Sequence, residues 1–289
     1  MALIWRACRV TPTTINLEWV YKATKAPISS LRKYSSKSST PSSAYTHFRV
    51  PKRPSFNMSS TVTIPQEAFD KFVEVDQYIV ETLLPQDPDL DGALERNAAS
   101  NLDAIDVAPN QGKQLYLLAK MIQARRILEI GTLGGYSAIW MAKALPADGK
   151  LISLEINAEH ARVARLNVEN AGLDKIVEIR VGPAIETLEK MGVDEGTGKF
   201  DMVFIDADKK NSETYLKWTV EFSKKGTLIV VDNVVRRGRL VNNDSSDESA
   251  VGVRNMFELL KKDNRVDATA VQTVGAKGWD GFALALVLE

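Results

Sequence analysis

The sequence contains very few of the two residue types that most often build reactive sites, cysteine and histidine. Its 289 residues include one cysteine, Cys8, and two histidines, His47 and His160. Since Cys8 and His47 fall within the first 60 residues, the rest of the chain has no thiol and a single imidazole. This shortage excludes disulfides, zinc-thiolate sites and cysteine nucleophiles there. It also argues against a Ser-His-Asp hydrolase, and we interpret His160 as a surface residue near the start of a helix.

The whole sequence also lacks long apolar runs, and its N-terminal part has very few acidic residues. No run approaches the roughly 18 apolar residues that a membrane span requires. Residues 1–60 carry ten lysines and arginines, only one acid, Glu18, and many serines. Such a basic, Ser-rich leader resembles a mitochondrial transit peptide. Alternatively, the working protein begins at Met58 and is cytoplasmic, in which case the preceding residues are a disordered extension or a gene-model error.

Outside this leader, the chain is acidic. The whole sequence has 37 basic and 37 acidic residues, so residues 61–289 keep 27 basic and 36 acidic ones, a net charge of about −9. A nucleic-acid partner is therefore not expected. We predict two segments, the leader at 1–60 and one globular domain at 61–289.

Two short apolar runs are each followed by oxygen-bearing side chains. Asp206 follows residues 200–205, and Asp232 and Asn233 follow residues 228–231. Both runs are typical of buried parallel strands, and residues 211–224, ending near Gly226, suit a crossover helix. Because ligands bind beyond the carboxyl ends of such strands, the three side chains should meet and could bind Mg²⁺, Ca²⁺ or Mn²⁺. Alternatively, they only cap strands and helices.

A glycine-rich turn follows the strand predicted at residues 127–130. Gly131, Gly134 and Gly135 precede a helix predicted at 136–144, so the backbone there can approach a ligand closely. Their spacing is not G-x-G-x-x-G, which disfavours a dinucleotide. This absence argues against the alternative of an NAD(P)-dependent oxidoreductase on a similar sheet.

An acidic residue ends the next predicted strand, residues 151–154. Glu155 lies where a ribose diol is usually held in this type of sheet, and Glu129 lies close to the glycine turn. An acid without a phosphate-binding fingerprint fits a nucleoside that lacks phosphates, such as S-adenosylmethionine. The alternative is that Glu155 is a solvated strand end.

The remaining pattern completes an α/β domain. The predicted elements are helices at 66–84 and 90–102, a strand at 177–181 with a helix after Pro183, an amphipathic helix at 254–262, and an antiparallel hairpin of residues 268–274 and 282–288.

Residues from about 108 to 288 resemble the cation-dependent O-methyltransferases, the group of catechol O-methyltransferase and the plant caffeoyl-coenzyme A enzymes. The motifs that carry the resemblance are residues 128–137 (LEIGTLGGYS), 182–184 (GPA), 204–209 (FIDADK) and the Asp232-Asn233 pair. Each motif is weak alone, but together they occur in the family's order and spacing. The resemblance implies a Rossmann-like, doubly wound sheet of seven mostly parallel strands with the last strand antiparallel, helices on both faces, and homodimers.

The resemblance also implies roles for individual residues. It implies metal ligation by Asp206, Asp232 and Asn233, and catalysis by Lys209 as base together with Asp206. It implies S-adenosylmethionine contacts from Val107, Glu129, Gly131, Thr132, Ser137, Glu155, Ala184 and Asp208. Val107 replaces a hydroxyl residue of the plant enzymes, so only a backbone contact is expected there. An ion pair with Asp206 or Asp208 is the alternative role of Lys209.

The chain departs from the family pattern just after the metal-ligand motif. Relatives often have a tryptophan in this stretch, whereas here Arg236, Arg237 and Arg239 follow Asn233. The substitution permits an anionic acceptor, although the arginines could instead balance Asp244, Asp247 and Glu248. We predict a divalent-cation-dependent O-methyltransferase, with Mg²⁺ as the expected ion, that methylates a hydroxyl of a small catechol-like or phenolic acceptor. A catalytically silent cofactor-binding protein is a further alternative, but it would not need the metal ligands.

Overall fold

A computed structural model describes residues 64–194, 199–242 and 246–289. The predicted leader lies outside these residues. The described chain alternates helices and strands, as the sequence predicts. The elements in chain order are α1 (Gln66–Leu83), α2 (Pro88–Ala99), α3 (Pro109–Met121), β1 (Arg126–Ile130), α4 (Tyr136–Ala142), β2 (Lys150–Glu155), α5 (Ala158–Asn170), β3 (Val177–Val181), α6 (Ala184–Asp194), β4 (Phe200–Ile205), α7 (Ser212–Glu221), β5 (Ser223–Asp232), α8 (Glu248–Lys262), β6 (Val266–Gly275) and β7 (Gly278–Val287), with short 3₁₀ segments at Lys209–Asn211 and Arg236–Val241.

The strands form one seven-stranded sheet in the order β3-β2-β1-β4-β5-β7-β6. The first five strands in this order pair in parallel, and β7 runs antiparallel to both of its neighbours. The predicted sheet and its reversed last strand are confirmed. The predicted hairpin is also present, with Val266 opposite Val287 and Gly275 opposite Gly278.

Side chains of the central strands alternate between two hydrophobic layers. In β4, Met202 and Phe204 join the core beneath α2 to α5, while Val203 and Ile205 join the core beneath α6 to α8. This alternation follows from the two-residue period of a strand, and it explains why the central strands are mostly apolar on both faces. Each fully buried side chain of this size stabilises the fold by about 1.5–3 kcal/mol.

The helix predicted at residues 211–224 is shorter than expected. It ends at Glu221, β5 begins at Ser223, and Gly226 lies within that strand at a φ of 89°. Gly226 therefore does not stop the helix but belongs to an irregularity, where the register between β4 and β5 shifts. Thr227 stabilises it, because its hydroxyl donates to the Phe200 carbonyl and accepts from the Lys224 N–H.

The start of α8 and the presence of α3 also differ from the sequence prediction. Helix α8 begins six residues earlier than predicted, because Asp247 caps it by accepting hydrogen bonds from the N–H groups of Ser249 and Ala250. Helix α3 was not predicted, although it starts with a proline, Pro109, which is a common first helical residue. Its polar first turn hides the amphipathic pattern.

The chain order of the strands produces a switch point between β1 and β4. From β1 the chain proceeds outward to β2 and β3, and then returns to the other side of β1 as β4. The connections on the two sides diverge, which leaves a crevice beyond the carboxyl ends of β1 and β4. In the described residues, no helix has the length and apolar character needed to cross a membrane.

Candidate active site

Gly131 and Asp206 meet at the switch point, where β1 and β4 end. The Asp206 N–H donates to the Ile130 carbonyl at 2.8 Å. A Cβ on Gly131 would lie 2.5 Å from the Asp206 carbonyl oxygen, and the φ of Gly131 is 101°. Only glycine fits both the backbone conformation and this close approach. The glycine turn and the acidic end of β4 therefore form one rigid unit.

Two cavities open beside this unit. The glycine-turn cavity, lined by Gly131, Glu155, Asp206 and their neighbours, has a volume of about 850 Å³. The hairpin cavity, between α3 and the β6-β7 hairpin, has a volume of about 580 Å³ and is lined by Asp232. Both volumes are in the usual range for small-molecule sites. The residues that line both cavities are Ile105, Asp106, Val107, Asn233 and Arg236.

Most of the predicted cofactor contacts line the glycine-turn cavity. These are Val107, Gly131, Thr132, Ser137, Glu155, Ala184 and Asp208, and Lys209 joins them. Glu129 is the exception, because it is fully buried beneath the turn. The structure thus brings together residues that are spread over about 100 positions of the sequence.

Glu155 holds the glycine turn in place. Its carboxylate accepts hydrogen bonds from the N–H groups of Thr132, Leu133 and Asn157, at 2.8–3.1 Å, and it is only 6% exposed. The alternative of a solvated strand end is therefore wrong. His160 Nδ1 lies 3.6 Å from the same carboxylate and is partly exposed at the rim of the cavity. Glu155 therefore has a structural role and also lines the glycine-turn cavity.

Glu129 is the acidic centre of a buried hydrogen-bond chain. Ser137 and Ser153 each donate to its carboxylate at 2.5 Å, and Thr132 lies 2.5 Å from the Ser153 hydroxyl. Burial raises the pKa of Glu129 to about 8, the two serines oppose this shift, and the charges of Asp206 and Glu155 add to it. Burial thus favours a neutral carboxyl group beneath the glycine turn at neutral pH.

Asp206, Asp232 and Asn233 lie at the border between the two cavities, next to Lys209. Lys209 is buried, and its Nζ lies 2.8 Å from Asp206 Oδ1, so the ion pair considered from the sequence is present. Burial raises the pKa of Asp232 to about 7, and the nearby negative charge of Asp206 contributes to this shift, while Lys209 opposes it. The two carboxylates are thus close enough to repel each other.

The donor chemistry of this trio fits a hard divalent cation. It consists of two carboxylates and one amide oxygen, which are ligands that Mg²⁺, Ca²⁺ and Mn²⁺ prefer. Asn233 has a φ of 54°, in the left-handed region, and its N–H donates to Asp232 Oδ1. Among the described residues there is no group of three or more His, Cys, Asp or Glu side chains that could hold a metal.

Comparison with known proteins identifies the family. The model of the O-methyltransferase family matches residues 86–286. A catechol O-methyltransferase from Mycobacterium tuberculosis is 48% identical over 214 residues, which are 74% of this chain and 95% of that protein. The chain belongs to the O-methyltransferase family.

Solved structures agree with this assignment. A putative O-methyltransferase from Klebsiella pneumoniae is 52% identical, with a TM-score of 0.74 over 76% of this chain and 99% of that one. An O-methyltransferase from Bacillus cereus in complex with SAH is 47% identical, with a TM-score of 0.75 and the same coverage.

In this O-methyltransferase, the exposed Asp208 is held by two neighbours. It accepts hydrogen bonds from the Tyr215 hydroxyl at 2.5 Å and from Asn211 Nδ2 at 2.7 Å. Burial and the charge of Asp208 raise the pKa of Tyr215 well above its ordinary value, so the phenol stays a hydrogen-bond donor. The carboxylate of Asp208 is therefore fixed at the cavity wall.

A second set of residues, which sequence reasoning missed, supports the glycine turn from below. The side chain of Asn167 donates to the Gly134 carbonyl and to Asn97, and Asn97 donates to Asp106. A Cβ on Gly134 would lie 2.0 Å from Asn97 Oδ1, so this network requires a glycine there. The sequence did contain a signal for this network: Asn97 and Asn167 each lie on the buried side of an amphipathic helix, where an apolar residue is usual.

Proposed function

We propose that this O-methyltransferase uses S-adenosylmethionine and a divalent cation, with Mg²⁺ as the expected ion, to methylate a hydroxyl of a small catechol-like or phenolic acceptor. The observation that carries the proposal is that two cavities meet where Asp206, Asp232, Asn233 and Lys209 lie side by side. One cavity could hold the methyl donor and the other the acceptor. The names of the relatives and the SAH-bound neighbour support the same assignment.

The glycine-turn cavity is suited to a nucleoside with an amino-acid tail. Glu155 could accept from the ribose hydroxyls, and the turn from Gly131 to Leu133 offers close backbone approach without a phosphate-binding fingerprint. Val107 could contribute a backbone contact, and Asp208 and Ala184 line the other parts of the wall. S-adenosylmethionine, when bound, supplies a methyl group on a positively charged sulfur.

The trio of Asp206, Asp232 and Asn233 could hold the cation, which, when bound, lowers the pKa of a chelated hydroxyl. The two carboxylates would hold the ion against the acceptor and fix the acceptor's orientation. Such positioning can contribute several kcal/mol to catalysis. Cation binding would also relieve the repulsion between Asp206 and Asp232 that the raised pKa of Asp232 reflects.

Lys209 is the group best placed to receive the acceptor's proton. Its Nζ lies within the glycine-turn cavity wall and is held by Asp206 at 2.8 Å. We propose that Lys209 would accept this proton as a neutral amine, because a cation held by Asp206 would take over the role of the ammonium group in balancing that carboxylate. Its burial keeps water away from the proton that moves.

The decisive variant is Asp206→Ala. We expect it to lower metal-dependent turnover by about 100-fold or more, because it removes a direct ligand, while the calorimetric Kd for S-adenosylmethionine stays within about 3-fold. Since the change also leaves Lys209 without its partner, thermal unfolding must show that the variant is folded. Full activity of Asp206→Ala in the presence of a chelator would contradict the metal mechanism.

We further propose that the protein is a homodimer. The support is helix α1, which has no buried side chain among the residues that the structure describes. The location depends on the leader, for which we propose either a mitochondrial transit peptide or an extension before a start at Met58 in the cytoplasm. Mass spectrometry of the N-terminus of the protein from its native cells distinguishes cleavage from internal initiation.

A further inference from the structure

We propose that Arg236, assisted by Arg237, makes this enzyme selective for catechols that carry a carboxylate. This inference rests on the proposed function and names its acceptor class more narrowly. The charge that distinguishes such an acceptor would be recognised at the segment after Asn233, which we call the arginine loop, residues 234–241.

The position of Arg236 is the first observation. Arg236 lines both cavities, whereas Arg237 and Arg239 line the hairpin cavity alone. An acceptor whose hydroxyls approach Asp232 and Asn233 would therefore extend along the arginine loop. A substituent on its ring would meet a guanidinium group rather than water.

The guanidinium groups of the loop differ in how they are paired. Arg239 forms an ion pair with Asp247 at 3.0 Å and donates to the Arg236 carbonyl. Arg236 Nε is buried and has no hydrogen-bond partner, and no described residue forms an ion pair with Arg236 or Arg237. Because the half-buried Arg236 lines both cavities and has no ion-pair partner among the described residues, a ligand that supplies a carboxylate there would be favoured. Among the described residues, the balancing role considered from the sequence is seen for Arg239 with Asp247, and Asp244 lies outside these residues.

The arginine loop has a strained backbone conformation that neighbouring residues hold in place. Arg236 and Arg237 have φ values of 55° and 53°, in the left-handed region, where each such residue costs roughly 1 kcal/mol or more. Asp280 of β7 fixes this conformation by accepting from the N–H groups of Val235 and Arg236. Gly238 packs so closely on Trp279 that a Cβ would lie 2.8 Å from the indole ring. The arginines are therefore pre-positioned.

The carboxylates that line the hairpin cavity already have donors. Asp280 accepts from the loop itself, and Asp76 accepts from Asn110 and from the Ala276 N–H. Asp106 accepts from Asn97, and the positive charge of Lys277 lies near it. Asp232 belongs to the proposed cation site. None of these carboxylates forms an ion pair with Arg236 or Arg237, so both arginines can pair with an incoming anion. Lys277 also lines this cavity, but it donates to the Ala104 carbonyl and lies near Asp106.

The size and aromatic wall of the cavity favour a small ring acid. Trp279 and Phe282 line the hairpin cavity, so the aromatic surface missing from the arginine loop is supplied by β7. A planar guanidinium group binds a carboxylate through two parallel hydrogen bonds. With a volume of about 580 Å³, the cavity suits one substituted ring rather than a long conjugate.

The test compares 3,4-dihydroxybenzoate with its methyl ester, which has the same catechol but no charge. The readout is the ratio of kcat/KM for the acid to kcat/KM for the ester, measured by S-adenosylhomocysteine formation with Mg²⁺ and the full chain. We expect a ratio of about 10 or more in the unmodified enzyme and about 1 in Arg236→Met, because a charge-assisted hydrogen bond is lost. Arg236→Lys should give an intermediate ratio, since lysine keeps the positive charge but cannot form the two parallel hydrogen bonds of a guanidinium group.

Arg239→Met is the matched control, because it removes the same charge from the same loop but from a paired arginine. It should keep the ratio within about 2-fold. If the acid-to-ester ratio falls equally in Arg236→Met and Arg239→Met, the selectivity comes from the summed positive charge of the loop and not from Arg236, which contradicts the inference. A ratio of 1 or less in the unmodified enzyme would also overturn it. If Arg236→Met weakens S-adenosylmethionine binding more than 10-fold and keeps the ratio, the guanidinium serves the cofactor's carboxylate instead. Failure of the unmodified enzyme to methylate either compound contradicts the proposed acceptor class itself.

Discussion

At the scale of single residues, the geometry of the site depends on a few positions where even one added carbon atom would clash or strain the backbone. Gly131 is such a position, because both its φ of 101° and the nearby Asp206 carbonyl exclude a side chain. Gly238 also combines a positive φ with a close contact, but its neighbour is the Trp279 side chain and not the backbone. Gly172, in the turn after α5, has a φ of 67°, but a Cβ added there would have no other atom within 4 Å. Comparing substitutions at Gly131 and Gly172 therefore separates the effect of a steric clash from the effect of backbone strain.

We therefore predict that Gly131→Ala lowers the free energy of unfolding by about 2–4 kcal/mol, since strain in the backbone adds to a clash that the backbone cannot avoid. It should also weaken S-adenosylmethionine binding by more than about 10-fold. Gly172→Ala should cost only about 1–2 kcal/mol and leave the cofactor Kd unchanged. Denaturant unfolding and calorimetry measure both quantities, and equal effects of the two variants would refute the close-packing argument.

At the scale of elements, an ion pair connects α2 with α4, and α2 carries Asn97 beneath the glycine turn. Asp87 caps α2 by accepting from the N–H groups of Asp89 and Leu90, and Lys143 Nζ lies 2.6 Å from the Asp87 carboxylate. Burial alone would raise the pKa of Asp87, but the hydrogen bond and charge of Lys143 hold it below its usual value. The same contacts raise the pKa of Lys143.

The pH dependence follows from the direction of these shifts. Because the folded-state pKa of Asp87 is lowered, its contribution is complete above an unfolded-state pKa of about 3.9 and is lost as the pH falls below it. Because the pKa of Lys143 is raised, its contribution is lost only as the pH rises above about 10.4. The ion pair should therefore stabilise the fold equally across the range between these values.

We predict that Lys143→Met lowers stability by about 1 kcal/mol at pH 7, or a Tm loss of about 2–4 °C. The difference from the unmodified enzyme should shrink as the pH falls below 4. Lys71→Met is a suitable control, because Lys71 pairs with Glu74 on α1 while both side chains are about two-thirds exposed. A Tm difference that persists undiminished at pH 3 would show that packing of the Lys143 stem, and not its charge, stabilises the helices.

At the scale of the whole molecule, one helix lacks the burial that usually holds a helix in place. In the described part of the chain, α1 has no buried side chain, and Val75, Tyr78 and Leu83 are 50–70% exposed. The helix is anchored at Asp76, which accepts from Asn110 of α3 and from the Ala276 N–H at the hairpin. An amphipathic helix with an exposed apolar face is typical of an interface, and we infer that a second copy covers it.

We predict that light scattering after size-exclusion chromatography gives twice the mass of one chain, and that Tyr78→Glu gives the mass of one. A buried charge without a partner disfavours the interface strongly. Val271→Glu is the matched control, because Val271 is 46% exposed on the edge strand β6. If Val271→Glu gives the mass of one chain and Tyr78→Glu does not, the interface is formed by the edge strand β6 and not by α1.

The sequence by itself determined the order of the strands and of all helices except α3, the glycine turn, and the acidic ends of β4 and β5. Such features are local, and in a parallel sheet the carboxyl ends of all strands lie at one edge, so spacing is enough to predict that Asp206 and Asp232 meet. The end of α7 was not predictable, because the register shift at Gly226 depends on the pairing of β5 with β4.

Only the tertiary structure decided which distant residues support these local features. Asn97 beneath Gly134, Asp280 beneath the arginine loop and Trp279 against Gly238 come from segments that are 37 to 44 positions away in the chain. Their contacts depend on how helices and the hairpin pack on the sheet, which no local pattern specifies. Packing also paired Arg239 with Asp247 and left Arg236 facing both cavities, so three similar arginines acquired different roles.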